Sequence, residues 1–393
     1  MEDCSRVSSS LIIADLQSHS LGGHFAIWME RTIQDASKHF DSLHIYVADE
    51  LSKPNHQILR ELGSCDLTVT LIPEIYGQKF FCGDILGVLA DHHAASRGGQ
   101  RSPIFLMWAQ QYLERDLIFP PLSGMISWLP WRRKSRFESP WASLTSVSSV
   151  AHGTEDIPLM EKRIHEAVST DFLCEGVLLW DDYAVRKLGD KYLYLPDVEP
   201  IEGDEGWRMP ESEPLTIGSV GQLWGYRSIN LLAEILAQES AVQGYVSGVL
   251  KPDSYSPEAR NLTEGRERLV CEEGFIPDDR ELNHRLKKLD AFVIDSRSYK
   301  CPSGLGIRAM ALGRPVVTID SPSWIANLVH ERGVGVFWKE GDVPLAKKLC
   351  DWYDSGGSLR AIETARQLSD PAGMAAAYAG LFKRLKKSAE KKN

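Results

Sequence analysis

The chain has 393 residues, 43% of them hydrophobic and 25% charged, with a formal net charge of −10 at pH 7. That length predicts two domains rather than one, and the acidic balance argues against nucleic-acid binding through bulk charge. Seven cysteines without a Cys-x-x-Cys pair read as reduced cytosolic thiols rather than a disulfide frame or zinc site, and no signal-peptide pattern or membrane-length apolar run is present, so a cytoplasmic location is expected.

The first half alternates short apolar runs with helical stretches. Residues 11–14 predict a strand, LGGHF (21–25) a glycine turn, the stretch to about 40 a helix, and 43–47 a second strand. Further strands are expected at 67–72, 104–108, 146–150 and 192–195, with a helix over 178–188. The alternation argues for a parallel sheet with helices on both faces. Within this half, WLPWRRKSRFESPW (128–141) mixes three tryptophans and a phenylalanine with a cluster of cations. Such a mixture suits a sugar-acceptor platform or a peripheral membrane contact, or a mobile surface loop. Residues 196–214 are rich in Pro, Gly and acids, carry no apolar period, and mark a linker.

The second half begins with LTIGSVG at 215 and repeats strand–helix–strand through 243–249, 269–271, 290–294, 315–319 and 334–337. Its most informative segment is KCPSGLGIRAMALGRPVV (300–317). Pro302 and Ser303 open a helix that runs to Leu312, and Gly313 with Pro315 ends it. The loop and helix start gather free backbone N–H groups at Ser303, Gly304 and Leu305, which is how folds hold phosphate. Arg297, Lys300 and Arg308 flank them. A nucleoside diphosphate is the expected ligand. The chain closes with a basic helix over 375–392, whose default reading is a solvated face.

The segment resembles the nucleotide-sugar site of retaining glycosyltransferases of family 4, which have the GT-B fold. Ala309, Met310, Ala311, Gly313, Pro315, Val316 and Val317 keep the A-M-A-x-G-x-P-V-V half of that pattern. Lys300 and Arg308 stand where the family has two glutamates, a double charge reversal. In the family the second glutamate binds ribose hydroxyls and the first contacts the sugar. A cation cannot accept from a hydroxyl, so these contacts are made differently, the donor differs, or activity is lost. Each cation otherwise points to solvent or pairs with Asp295. A second block, IGSVGQLWGYRS (217–228), matches the family's diphosphate-neutralising arginine and lysine. Gln222 takes the arginine position and Arg227 the lysine position, just before Ser228 as a helix N-cap. Phe275 and Ile276 match a turn that contacts the base, with a core role for Phe275 the alternative. Gly22 and Gly23 match the family's glycine turn over the donor phosphates, and His24 follows it. The family's first-domain histidine has no counterpart in Ala109, Gln110 or Gln111. His152 is the other polar candidate, and His92 with His93 lacks metal-ligand spacing.

The resemblance implies a GT-B α/β fold: a Rossmann-like acceptor-side domain over 1–200, a donor domain over 201–374, and a final helix over 375–393 packing back on the first. Substrates are expected in the cleft between them. The expected activity is retaining transfer of a sugar from a nucleotide-diphosphate sugar to a glycan, lipid-linked or protein acceptor, without metal or other cofactor. The expected roles are catalytic for Arg227, Lys300 and Arg308, and donor-binding for Gly22, Gly23, Gln222, Phe275, Ile276, Ser303, Gly304 and Leu305. The alternatives are a binding or regulatory protein that has lost transfer, a nucleotide-sugar epimerase, and a GT-B phosphorylase.

Overall fold

The computed structural model describes residues 9–15, 24–47, 65–71, 89, 102–107, 140–145, 174–197, 214–265, 268–300 and 302–391. The chain divides into two compact units. One comprises residues 1–150, 155–198 and 371–393, the other 151–154 and 199–370. Each is built on one parallel sheet.

In the first unit the strands are β1 (Ser10–Asp15), β2 (Ser42–Val47), β3 (Asp66–Leu71), β4 (Ile104–Met107), β5 (Trp141–Thr145), β6 (Cys174–Leu179) and β7 (Tyr192–Tyr194), with helices α1 (His24–Ala36) and α2 (Asp182–Leu188). Their order across the sheet is β3-β2-β1-β4-β5-β6-β7. All pairs are parallel. Strands covered on both faces need no polar face, which is why LIIA and IFLM are unbroken apolar runs.

The sequence places two elements of this unit differently. Residues 178 and 179 end strand β6 rather than open a helix, because Cys174–Leu179 is buried almost throughout. The helix starts only at Asp182, where the Asp181 side chain accepts from Ala184 N at 2.9 Å. The fifth strand is Trp141–Thr145, whereas the expected strand at 146–150 lies outside the described residues. Trp141 is fully buried, so it belongs to the core and not to an aromatic surface. Residues 128–139 lie outside the described residues, as do Gly22, Gly23, Ala109, Gln110, Gln111, His92, His93 and His152, and most of the 196–214 linker.

The second unit contains β8 (Leu215–Trp224), α3 (Asn230–Gln238), β9 (Val242–Lys251), α4 (Pro257–Gly265), β10 (Leu269–Glu273), α5 (Asp279–Leu286), β11 (Ala291–Val293), α6 (Gly304–Ala311), β12 (Val316–Thr318), α7 (Trp324–Arg332), β13 (Gly335–Phe337), α8 (Leu345–Asp354) and α9 (Gly357–Leu368). The sheet order is β10-β9-β8-β11-β12-β13, again all parallel. The order reverses between β8 and β11, and loops at the carboxyl ends of those two strands form the crevice where such sheets take ligands. At that end β8 and β9 approach closely. Gly248 has φ +137° and a Cβ placed there would lie 1.9 Å from Gly221 O.

The last helix, α10 (Pro371–Glu390), belongs to the first unit. Met374, Tyr378, Leu381, Phe382 and Leu385 recur at helical spacing and join Leu11, Phe105 and Leu178 in one core. Tyr378 OH lies 2.9 Å from Thr32 Oγ1 on α1, which satisfies two buried hydroxyls. Among the described residues no helix is long and apolar enough to cross a membrane.

Candidate functional site

The crevice at the switch point is held by backbone first. Strand β8 runs into a π-helical turn, Gly225–Ile229, before α3. Asp295 N, just past β11, donates to Arg227 O in that turn at 2.7 Å. Ser228 sits inside the turn, so it is not the N-cap its spacing suggests, and its buried Oγ has no hydrogen-bond partner among the described residues. Gly221 has φ +105°, and a Cβ there would lie 2.8 Å from Leu305 Cδ1. The end of β8 therefore touches the first turn of α6, and glycine permits the approach.

Arg227 is the cation this frame presents. Its guanidinium lies over the Tyr299 ring, 5.0 Å from the centroid. Its Nε is buried with no hydrogen-bond partner among the described residues. Tyr299 OH in turn donates to Pro302 O at 3.0 Å. The next residue, Ser303, caps α6 by accepting from Gly306 N at 3.1 Å. Gly304 and Leu305 follow in the first turn, where an amide has no acceptor inside its own helix. One chain of contacts thus joins Arg227 to the start of α6, and both ends carry positive character.

The other cations have different employment. Arg297 donates to both oxygens of buried Asp295, at 2.9 and 2.8 Å, and to both oxygens of Glu234 on α3, at 3.0 and 2.8 Å. These carboxylates push its pKa further up. It clasps the loop after β11 to α3, and it is Arg297 that occupies Asp295. Lys300 donates to Ser296 O at 2.8 Å, and burial holds its pKa below the ordinary lysine value. Arg308 does not reach solvent: its side chain is 3% exposed and pairs with Asp279 Oδ1 at 3.0 Å.

Gln222 is exposed, and its Oε1 accepts from Trp224 Nε1 at 3.2 Å. Phe275 is 78% exposed, which rules out the core alternative, and Ile276 beside it is partly buried. Their loop is pinned where Gly274 N donates to Gly248 O at 3.0 Å. Helix α1 begins at His24, whose side chain lies outside the described residues. Sequence reasoning missed Tyr299, Glu234 and Asp279. No periodicity or spacing marks an aromatic in a polar loop or a carboxylate on a distant helix. Among the described residues no group of three or more His, Cys, Asp or Glu could hold a metal ion.

Neither a protein-family model nor a curated protein sequence matches the chain. Solved structures do. HepE from Anabaena, in complex with UDP and glucose, superposes with a TM-score of 0.55 at 14% identity, covering 94% of this chain and 97% of that one. Sucrose-phosphate synthase from Thermosynechococcus elongatus gives a TM-score of 0.59 at 14% identity, covering 96% and 99%. A point mutant of TarM from S. aureus, in complex with fondaparinux, α-GlcNAc-glycerol and UDP, gives 0.58 at 9% identity, covering 96% and 99%. The fold is GT-B. At these identities the likeness speaks for the GT-B architecture, and the chemistry must be argued from the residues.

Proposed function

We propose that this chain is a glycosyltransferase that takes its sugar from a nucleotide-diphosphate donor bound at the carboxyl ends of β8 and β11. The observation that carries the reading is Arg227. A charged donor whose buried Nε has no partner among the described residues is costly to keep, and a phosphate oxygen that drew the guanidinium outward would satisfy it. The Gly304 and Leu305 amides at the start of α6 supply the second half of an anion cradle. The leaving group in sugar transfer is the nucleoside diphosphate, and charge grows on it as the glycosidic bond breaks. Arg227 and the α6 terminus would stabilise that charge without a metal ion. Lys300 would add a second cation if it released Ser296 O. The exposed Phe275, with Ile276, is proposed to meet the base.

Membership of family 4, retention of configuration, and a glycan, lipid-linked or protein acceptor complete the proposal. The sequence blocks support the first two. UDP or UDP-sugar complexes of HepE and the glycan-type ligands of TarM support a nucleotide donor and a glycan acceptor by analogy of fold. A second reading, a GT-B protein that binds but no longer transfers, is favoured by Gln222. It is exposed, bonded to Trp224, and uncharged where the family carries an arginine.

A thermal-shift screen against UDP, GDP, ADP, CMP and their common sugars tests the donor site, with Arg227→Ala alongside. A ligand at a hundredfold its Kd adds about 2.7 kcal/mol, a readable shift. One nucleotide should stabilise the wild type and lose most of that effect in the variant. No shift with any of them overturns the donor-site reading. Binding without donor hydrolysis or transfer selects the second reading.

A further inference from the structure

Arg308 poses a chemical problem that Asp279 answers. The α6 start is the proposed phosphate cradle, and Arg308 lies four residues beyond Gly304, roughly 6 Å along the helix axis. That is about the reach from a diphosphate to the ribose of the same nucleotide. A ribose presents two adjacent hydroxyls, and both seek an acceptor. A guanidinium has none to offer. A carboxylate has two oxygens and can accept from both hydroxyls at once.

Helix α5 brings such a carboxylate. It packs against β8, and Arg285 in its last turn donates to Ser247 Oγ on β9 at 2.6 Å. Its first turn carries two adjacent aspartates with separate fates. Asp278 is consumed as the N-cap, accepting from Glu281 N at 2.8 Å. Asp279 turns to Arg308 instead, with Oδ1 at 3.0 Å from the guanidinium, while its side chain stays 57% exposed. Buried Arg308 thus holds one oxygen and leaves the carboxylate face open. The exposed Phe275 sits four residues upstream on the same loop-to-helix segment. Asp295, just past β11, has both oxygens taken by Arg297.

We infer that Asp279, oriented by Arg308, is the acceptor for the ribose hydroxyls of the donor nucleotide, so that α5 supplies the carboxylate which α6 lacks. The inference rests on the donor-site reading above. It makes Arg308 a positioning residue and Asp279 a residue that selects ribonucleotides over deoxyribonucleotides. It also gives the charge reversal at Arg308 a function: the cation recruits a carboxylate from a neighbouring helix.

The test uses the full chain and whichever of UDP, GDP and ADP binds the wild type. Affinity is measured for that nucleotide, for its 2′-deoxy counterpart and for inorganic pyrophosphate, in the wild type, Asp279→Asn and Asp279→Glu. A hydrogen bond to a charged acceptor predicts about 10- to 100-fold weaker binding of the deoxynucleotide to the wild type. In Asp279→Asn the ribonucleotide should weaken by a similar factor and the discrimination should collapse to within about threefold. Pyrophosphate, which has no ribose, should bind both proteins alike, and Asp279→Glu should recover part of the discrimination. A melting temperature for each variant reports folding. Equal affinity of the wild type for both nucleotides overturns the inference alone, as does discrimination that survives Asp279→Asn. No binding of any nucleotide or of pyrophosphate overturns both this inference and the donor site.

Discussion

Phe382→Ala should remove a large share of the stability of the first unit. The residue lies on the last helix and is fully buried. Its ring meets Phe40 edge-on at 6.1 Å and Phe105 edge-on at 5.6 Å, and stacks on Tyr378 at 5.6 Å between centroids. Truncating a buried phenylalanine costs about 3–5 kcal/mol through lost transfer energy and the cavity left behind. Ring partners drawn from α10 itself, the turn after α1 and β4 place this site toward the upper end, because none can collapse into the gap without leaving its own contacts. The assay is amide hydrogen exchange followed at Leu11, Ile13 and Phe105, in the central strands beneath the helix, together with urea unfolding. The expected loss is about 4 kcal/mol, a large fraction of the 5–15 kcal/mol typical of a folded protein. Leu359→Ala, at a position 67% exposed on α9, serves as the control and should stay within about 0.5 kcal/mol. A loss under about 1 kcal/mol for Phe382→Ala would refute the claim that α10 is part of this core.

Other substitutions probe separate parts of the structure. Burial lifts the Asp181 carboxyl to about 7 while it caps α2. Its folded value lies above the unfolded one, so the stability it contributes is present below about pH 4 and is lost as pH rises through about 7. Asp181→Asn keeps a capping side chain without the charge, and should melt above the wild type at pH 8 by at most about 4 kcal/mol of stability, with the difference fading toward pH 4. Gly248→Ala combines φ +137° with a Cβ 1.9 Å from Gly221 O, so β8 and β9 must separate at the crevice. It should cost more than about 2 kcal/mol by urea unfolding and weaken nucleotide binding as well. Ser303→Ala removes the α6 cap and should lower stability by about 1 kcal/mol, and an unchanged unfolding midpoint would count against the cap.

Much of the second unit is legible from the sequence because its signals are local. A capping serine at 303, a run of helix formers, and Gly313 at φ +71° define α6 without reference to any distant residue. The apolar runs that become β8, β9 and β11 are equally local. The end of β6 reads as helix in the sequence because a short apolar run looks the same whether its neighbours are strands or helices. Only the sheet, which buries Cys174–Leu179 between β5 and β7, decides it. The fate of the cations lay further from view. Arg297, Lys300 and Arg308 read alike in sequence as a positive rim for a diphosphate. Tertiary structure sends Arg297 to Glu234, 63 residues away, Arg308 to Asp279 on another helix, and Lys300 to a carbonyl in its own loop. Arg227 rests on Tyr299, and its Nε has no partner among the described residues. The chain by itself determined β8, β9, β11, the Ser303 cap and the order of its charges, since these depend on neighbours within a few residues. Which charge remains for a ligand was decided only when the parallel sheet set the strand ends side by side, because a long cation takes whichever partner the fold brings within about 3 Å.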